Sequence, residues 1–317
     1  MRKKSKERTI NVQTARVQGY HEGRLNGNYA FEGFESNKVF TSDRTILLDA
    51  VYHRIDGKAL KGFGLEIETE CWTVNNSNVY ATLLKTAILS AFPEDLFKLQ
   101  RDGSLTGGES SAEIITQIMT KEFIRNQYPA FKAMFQSFEE MGISCTRSGH
   151  CGMHTNISNA CFGGTEASQE KAIRKLYYFI NKYYSLSCGL FSRDPRHTGY
   201  CGRMPYENAK TMNLSGFYSD HGCSFNLGHY REGRVEIRLV GGQKNFATFR
   251  NTIETVFCLI DAVKRCSWDE MDDFTKVFKG CNKYVLSRLE LCKNSGLMTD
   301  TDYNVIARMA DTETEYI

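Results

Sequence analysis

Residues 61–72 read KGFGLEIETECW. Behind Gly62 and Gly64, the residues Leu65, Ile67, Thr69 and Cys71 alternate with Glu66, Glu68 and Glu70. A period of two marks a β-strand, because successive side chains leave it on opposite faces. One face is therefore mostly apolar, and the other carries three carboxylates in a row. Like charges at that spacing repel, and burial would raise their pKa values. A fold rarely keeps such a ladder inside unless a cation neutralises it. The simpler alternative is a solvated strand face, and this stretch alone leaves both open.

Composition narrows the field. The 317 residues suffice for one large domain or two moderate ones. With 41% hydrophobic and 24% charged residues the chain reads as an ordinary soluble globular protein. No apolar run approaches the roughly 18 residues a membrane helix needs, so no membrane span is expected. A formal charge of +3 is too small to imply nucleic-acid binding. Arg2, Lys3, Lys4, Lys6 and Arg8 crowd the start without the apolar core of a secretory signal. Residues 1–40 show no sustained periodicity and are expected to be a basic, flexible arm. Residues 41–317 are read as a single unit with a helical C-terminal part. The eleven cysteines include no C-x-x-C pair, which argues against a zinc knuckle or thioredoxin-like site. They sit mainly within apolar patterns, as at Cys188, Cys258 and Cys292, which fits reduced, buried thiols in a cytoplasmic protein.

Apolar spacing predicts helices over 79–92, 124–141, 166–190 and 246–263, with Pro93 and Gly142 as stops. Strands are expected at 96–101, 112–118, 143–146, 153–158, 223–227 and 234–240. A hairpin-like connection is expected at 106–111, and an irregular stretch runs over 192–215. Strands interrupted by helices at one face give an α+β fold, a largely antiparallel sheet backed by helices.

Two of these strands repeat the mixed character of the first. RVEIRLV (residues 234–240) sets Val235, Ile237 and Leu239 against Arg234, Glu236 and Arg238. Glu236 and Arg238 then lie side by side, about 7 Å apart along the strand. That pairing suits a carboxylate on a metal beside a guanidinium on a phosphate, although a surface ion ladder would look the same. In SGHCGMHTNIS (residues 148–158), His154 and Asn156 share a face opposite Met153, Thr155 and Ile157. His150 and His154 have a zinc-like spacing but lack the glutamate of H-E-x-x-H, so a zinc hydrolase is disfavoured. Finally, Glu113 in AEIIT follows the turn Asp102-Gly103-Ser104.

The order G-x-E-x-E, D-G-S-L with E-I, C-G-M-H and E-x-R resembles the amidoligase family, relatives of glutamine synthetase and glutamate–cysteine ligase. The resemblance spans about residues 62–260 and implies a sheet lined with metal-binding carboxylates, as in the glutamine synthetase catalytic domain. It implies Glu66, Glu68, Glu113 and Glu236 as metal ligands. It places His154 near a metal and the nucleotide phosphates, and Arg238 at the transferring phosphoryl group. Asn156 stands where many family members carry a second histidine and is expected at the nucleotide. The stretch 192–203, with Arg193, Arg196 and Tyr200, resembles a segment that reaches the substrate, Arg196 being taken as a binding residue. Glu70 and Asp102 are weaker members of the set, Glu70 being read as the strand's solvated end. The implied cofactors are ATP and Mg²⁺, or Mn²⁺. The implied partners are a carboxylate substrate and an amine substrate: an amino acid, peptide, polyamine or protein, often in bacteria and phages. An oligomer is compatible with the resemblance. The implied activity is ATP-dependent acid–amine ligation through an acyl phosphate. A phosphotransferase of the guanidino-kinase type, or a non-catalytic protein keeping the fold, are the alternatives.

Overall fold

The structure is a computed structural model. It describes residues 20–21, 24–25, 28–30, 38–42, 45–47, 61–71, 73–74, 76–93, 96–100, 105, 110–146, 149–196, 199–217 and 219–313. The turn at Asp102 and most of the expected 106–111 connection lie outside these residues.

The strands are β1 (Tyr20–His21), β2 (Arg24–Leu25), β3 (Asn28–Ala30), β4 (Lys38–Phe40), β5 (Thr45–Leu47), β6 (Phe63–Cys71), β7 (Phe97–Gln100), β8 (Ser111–Thr116), β9 (Ile118–Met119), β10 (Ile143–Ser144), β11 (Met153–Ser158), β12 (Phe225–Asn226) and β13 (Arg234–Ile237). The helices are α1 (Ser77–Leu89), α2 (Lys121–Asn126), α3 (Tyr128–Met141), α4 (Glu166–Lys182), α5 (Tyr184–Leu190), α6 (Phe246–Arg265), α7 (Phe274–Val277), α8 (Lys283–Asn294) and α9 (Asp300–Met309). The main sheet runs β12-β13-β11-β6-β8-β7-β3, with antiparallel neighbours throughout that path. The glutamate strand β6 is its nine-residue centre. Beside the path, β10 and β9 also pair with β6, and β4 joins β9 in parallel. The expected antiparallel sheet backed by helices is thus present.

Alternation explains how the sheet divides the molecule. Leu65 and Ile67 are fully buried, and in register with them lie Ile114 on β8 and Met153 and Thr155 on β11. This face meets the helices: Phe63 packs edge-on against Phe257 of α6, ring centroids 4.9 Å apart, and the Tyr80 hydroxyl of α1 donates to Thr69 Oγ1 at 2.7 Å. Phe131 and Phe249 continue the core between α3 and α6. At about 25 cal/mol per Å² of apolar area, burial of these rings dominates cohesion. The opposite face of the same strands carries the polar residues.

Four details depart from the sequence reading. The helix expected over 124–141 is two helices, because Pro129 sits in the first turn of α3 and lacks the N–H to continue α2. The helix expected over 166–190 breaks at Tyr183, which has φ −99° and ψ 43°. The last strand ends at Ile237: the N–H groups of Arg238 and Leu239 both converge on the Ser224 carbonyl, at 3.0 and 3.1 Å, and this bulge-like pairing stops the ladder. Within the stretch read as an arm, β3 pairs with β7 and β4 with β9.

Candidate active site

Register builds the site. On β6, Glu68 lies directly across from Glu113 of β8, and Glu66 directly across from His154 of β11. One step further over, Asn156 of β11 faces Glu236 of β13, which faces Asn226 of β12. Three strands, β8, β6 and β13, therefore deliver carboxylates to one patch of the polar face, and β11 between the last two delivers His154 and Asn156. Directly opposed residues have Cβ atoms roughly 4.5–5.5 Å apart, and like charges at that distance destabilise a sheet. Glu68, Glu113 and Glu236 are nonetheless buried, with 3%, 8% and 4% of their surface exposed.

His154 is the hub. Its Nδ1 lies 3.2 Å from Glu66 Oε2 and 3.5 Å from Glu236 Oε1, and its Nε2 lies 3.7 Å from Glu68 Oε1. Two overlapping sets result, Glu66–His154–Glu236 and Glu68–Glu113–His154. Within each set the ligating atoms lie within 4.8 Å of one another. The donors are four carboxylates and one imidazole, with no thiolate. Hard oxygen donors of this kind suit Mg²⁺ or Mn²⁺. The residues present therefore fit the implied metal.

The surrounding groups fix the carboxylates. Asn156 Nδ2 donates to Glu66 Oε1 at 2.8 Å, and Arg234 in turn donates to the Asn156 carbonyl oxygen. Glu236 accepts from Asn226 Nδ2 at 3.0 Å and from Arg238 Nη1 at 2.8 Å. Asn226 Oδ1 is itself held by the Ser219 hydroxyl and the Gly228 N–H. Glu68 Oε2 accepts the N–H of Gly152. Gly152 is closely packed, and a Cβ there would lie 2.9 Å from Arg193 Nη2 and 3.2 Å from the Val240 carbonyl oxygen, so these neighbours would have to shift.

Charges follow from this packing. Burial pushes the Glu66 carboxyl up, but the His154 hydrogen bond and charge, with Asn156 and Arg234, more than offset it and hold it below its ordinary value. For His154, burial disfavours the charged ring; the Glu66 hydrogen bond and the charges of Glu68 and Glu236 outweigh burial and Arg238, so its pKa is raised. The four carboxylates outnumber the cationic groups beside them, the guanidinium groups of Arg238 and Arg234 and the His154 ring. Arg238 also has a buried Nε without a hydrogen-bond partner.

Alongside the cluster lies a cavity of about 360 Å³, lined by Glu66, Glu113, Asn156, Lys98, Gln100 and Arg234 among others. A volume near the lower end of the ligand-pocket range suits a small substrate or part of a larger one.

The structure thus brings together Glu66, Glu68, Glu113, Glu236, His154, Asn156 and Arg238. Arg196 is placed differently: its guanidinium is 83% exposed and forks onto Asp194, with Nη2 at 2.6 Å. Arg193 is buried, donating to the backbone carbonyls of Arg238, Leu239 and Val240. Glu70 is only 2% exposed, so it is not a solvated strand end. It lies in register with Ser111 and Ser144 and belongs to neither metal-binding set. Sequence reasoning missed Asn226 and the Gly152 N–H. Asn226 could have been found by pairing the 223–227 strand with 234–240; a backbone donor leaves no side-chain signal.

No protein-family model matches the chain, and no curated protein does. Among solved structures the chain is similar to one in the crystal structure of the complex between prokaryotic ubiquitin-like protein Pup and its ligase PafA. The two are 12% identical, the match covers 64% of this chain and 46% of that one, and the TM-score is 0.29. The chain thus spans about half the length of that neighbour. Among the described residues, no helix is long and apolar enough to cross a membrane.

Proposed function

We propose that the chain is an ATP-dependent carboxylate–amine ligase of the glutamine synthetase-like kind, forming an amide or isopeptide bond. The observation that carries this reading is the convergence of Glu66, Glu68, Glu113 and Glu236 on His154, with Arg238 alongside. A buried surplus of carboxylate charge is costly in an apo protein and useful where divalent cations and phosphates meet. The ordered sequence motifs support the same reading.

A carboxylate is a poor acyl donor because its leaving group would be oxide. Phosphorylation by ATP replaces that leaving group with phosphate, and an amine then attacks the acyl phosphate to give the amide. Neither step needs a protein nucleophile. Either Glu66 and Glu236 or Glu68 and Glu113 would hold a cation together with His154, whose neutral ring has one lone pair and so would serve one ion at a time; the other pair would hold a second ion through carboxylates alone. Bound Mg²⁺ or Mn²⁺ supplies neutralisation of the phosphate oxygens. Arg238, anchored through Nη1 on Glu236, would stabilise charge developing on the phosphoryl group. Asn156 and Asn226 keep Glu66 and Glu236 in fixed rotamers, so little reorganisation is needed on loading. The sheet supplies alignment, the other part of such catalysis.

The test is stoichiometry. With ATP and Mg²⁺, ADP and phosphate are released only when both an acid and an amine are present, and mass spectrometry shows the two joined with loss of water. A screen of amino acids, peptides, polyamines and protein carboxylates identifies the pair. ADP release that leaves a stable phosphorylated acceptor would replace the ligase reading with a phosphotransferase.

A further inference from the structure

Strand β13 ends at Ile237, and the next residue is Arg238, the guanidinium beside Glu236. Past the end of the ladder, the backbone of 238–240 is gripped from two sides. On one side the Ser224 carbonyl takes the N–H groups of Arg238 and Leu239, at 3.0 and 3.1 Å. On the other lies Arg193, which is only 8% exposed. Its Nε donates to the Leu239 carbonyl at 3.4 Å, and its Nη2 donates to those of Arg238 and Val240 at 3.4 and 2.8 Å. Buried carbonyls beyond a ladder still need donors. A planar fork of five N–H groups can serve three successive carbonyls, where a single ammonium cannot.

The same guanidinium touches the other strands of the site. The Val240 carbonyl also takes the N–H of Met153, the residue before His154, at 3.1 Å. A Cβ on Gly152 would lie 2.9 Å from Arg193 Nη2 and 3.3 Å from Glu68 Oε2, so guanidinium and carboxylate close on one point. Gly152 gives its own N–H to Glu68 and bridges to Gly241. Among the described residues Arg193 makes no ion pair, and its bonds all go to backbone. The turn that delivers it is strained: Ser192 has φ 58°, the left-handed region that residues with a side chain rarely adopt. The Gly241 N–H, bonded to the Phe191 carbonyl at 2.8 Å, locks that turn against the strand end. Strain of this kind persists where its surroundings over-determine it, and what it aims here is the Arg193 side chain.

We propose that Arg193 is a positioning residue for Arg238. It stands in for the missing strand neighbour of residues 238–240 and so fixes where the Arg238 guanidinium emerges. Through Gly152 it keeps Glu68 in step with that point. What Arg238 does there rests on the ligase reading; how Arg238 is held does not.

Hydrogen exchange read by mass spectrometry tests the clamp on the full chain without substrate. In Arg193→Gln, exchange over residues 234–243 quickens at least ~10-fold, while residues 63–71 at the sheet centre stay within about twofold of the wild type. Arg193→Lys, which keeps the charge without the fork, shows the same local pattern to a smaller extent and serves if the glutamine variant does not fold. With an acid–amine pair in hand, Arg193→Gln lowers kcat roughly 30-fold and moves the KM for ATP less than about threefold. On an Arg238→Ala background the same change costs no more than about threefold, because the group it positions is gone. The proposal fails if exchange over 234–243 is unchanged, if it quickens equally over 63–71, or if the two losses of kcat multiply. Absence of ligation with every pair would remove the ligase reading, and exchange alone would then decide the clamp.

Discussion

Two buried groups of carboxylates in this molecule are built on opposite principles. Glu254, in the middle of α6, is 1% exposed. Arg125 forks onto both of its oxygens at 2.8 and 2.6 Å, and the Tyr128 hydroxyl and Asn282 amide add bonds at 2.7 and 2.8 Å. One acid thereby ties α2, α3 and α8 to α6, with a guanidinium to match its charge. The sheet cluster instead gathers four acids around one imidazole and two guanidinium groups, those of Arg238 and Arg234. The first arrangement is closed and holds helices together. The second is short of positive charge and asks for it from outside. Burial of a carboxylate therefore does not say what it is for; the balance of its partners does.

The comparison breaks if the cluster proves to be structural or the hub dispensable. The largest expected effect is on turnover: Glu68→Ala or Arg238→Ala lowers ATP turnover by ~10³-fold or more, with an unchanged circular dichroism spectrum. ADP release near wild type from both would end the site assignment. Next comes Glu254→Ala, which removes the buried acid that half-buried Arg125, Tyr128 and Asn282 all bond and costs ~3–5 kcal/mol in urea denaturation. Turnover per folded molecule stays as in the wild type, so a selective loss of activity would erase the distinction drawn above. Third, Mg²⁺ at a hundredfold excess over its Kd stabilises the wild type by ~2.7 kcal/mol, read as a rise in melting temperature. Glu66→Gln and Glu236→Gln lose most of that rise, whereas Glu254→Gln keeps it despite a lower starting point.

The smallest effect belongs to a third acid, Asp272, whose carboxylate is met by Lys182, Lys210 and the Tyr178 hydroxyl at the surface. The Lys182 and Tyr178 hydrogen bonds hold its carboxyl well below the usual range. A depressed carboxylate stabilises the fold above the unfolded-state pKa and loses that stabilisation as pH falls through the folded-state value. Exposure and screening limit it, so Asp272→Asn costs no more than ~1 kcal/mol at pH 7. That deficit shrinks below about pH 4, where the unfolded acid is already protonated. A deficit growing on acidification would reverse the sign and refute the assignment.

Much of the cluster was legible in the sequence because strand alternation is a one-dimensional record of two faces. Glu66, Glu68, His154, Asn156 and Glu236 could be sorted onto one side before any register was known. What alternation cannot encode is which strands are neighbours. Glu70 follows the same rhythm as Glu66, yet β10 and β8 bury it beside serines rather than beside His154. The glutamate in IETVF gave no signal either: Glu254 finds its partners on three other helices, and one acid in an amphipathic helix looks like any surface residue. Helix breaks at Gln127 and Tyr183 were hidden for a related reason, since the apolar spacing runs on across both. The cysteine reading rests on a simpler physical rule. All eleven are free thiols, and burial pushes Cys145 and Cys161 up to about 12.

Glu66 and Glu236 lie 170 residues apart in the chain, and Glu113 and His154 fall between them. Loops that long close slowly, and the pairings that join them come late in folding. During synthesis, a chain that has released Glu68 and Glu113 but not yet β13 could trap a cation while lacking Arg238. Only when the seventh decade of residues meets the twenty-fourth does the emerging polypeptide acquire a group able to meet a phosphoryl oxygen. In a growing chain the cluster is thus complete only after the last strand of the sheet has emerged.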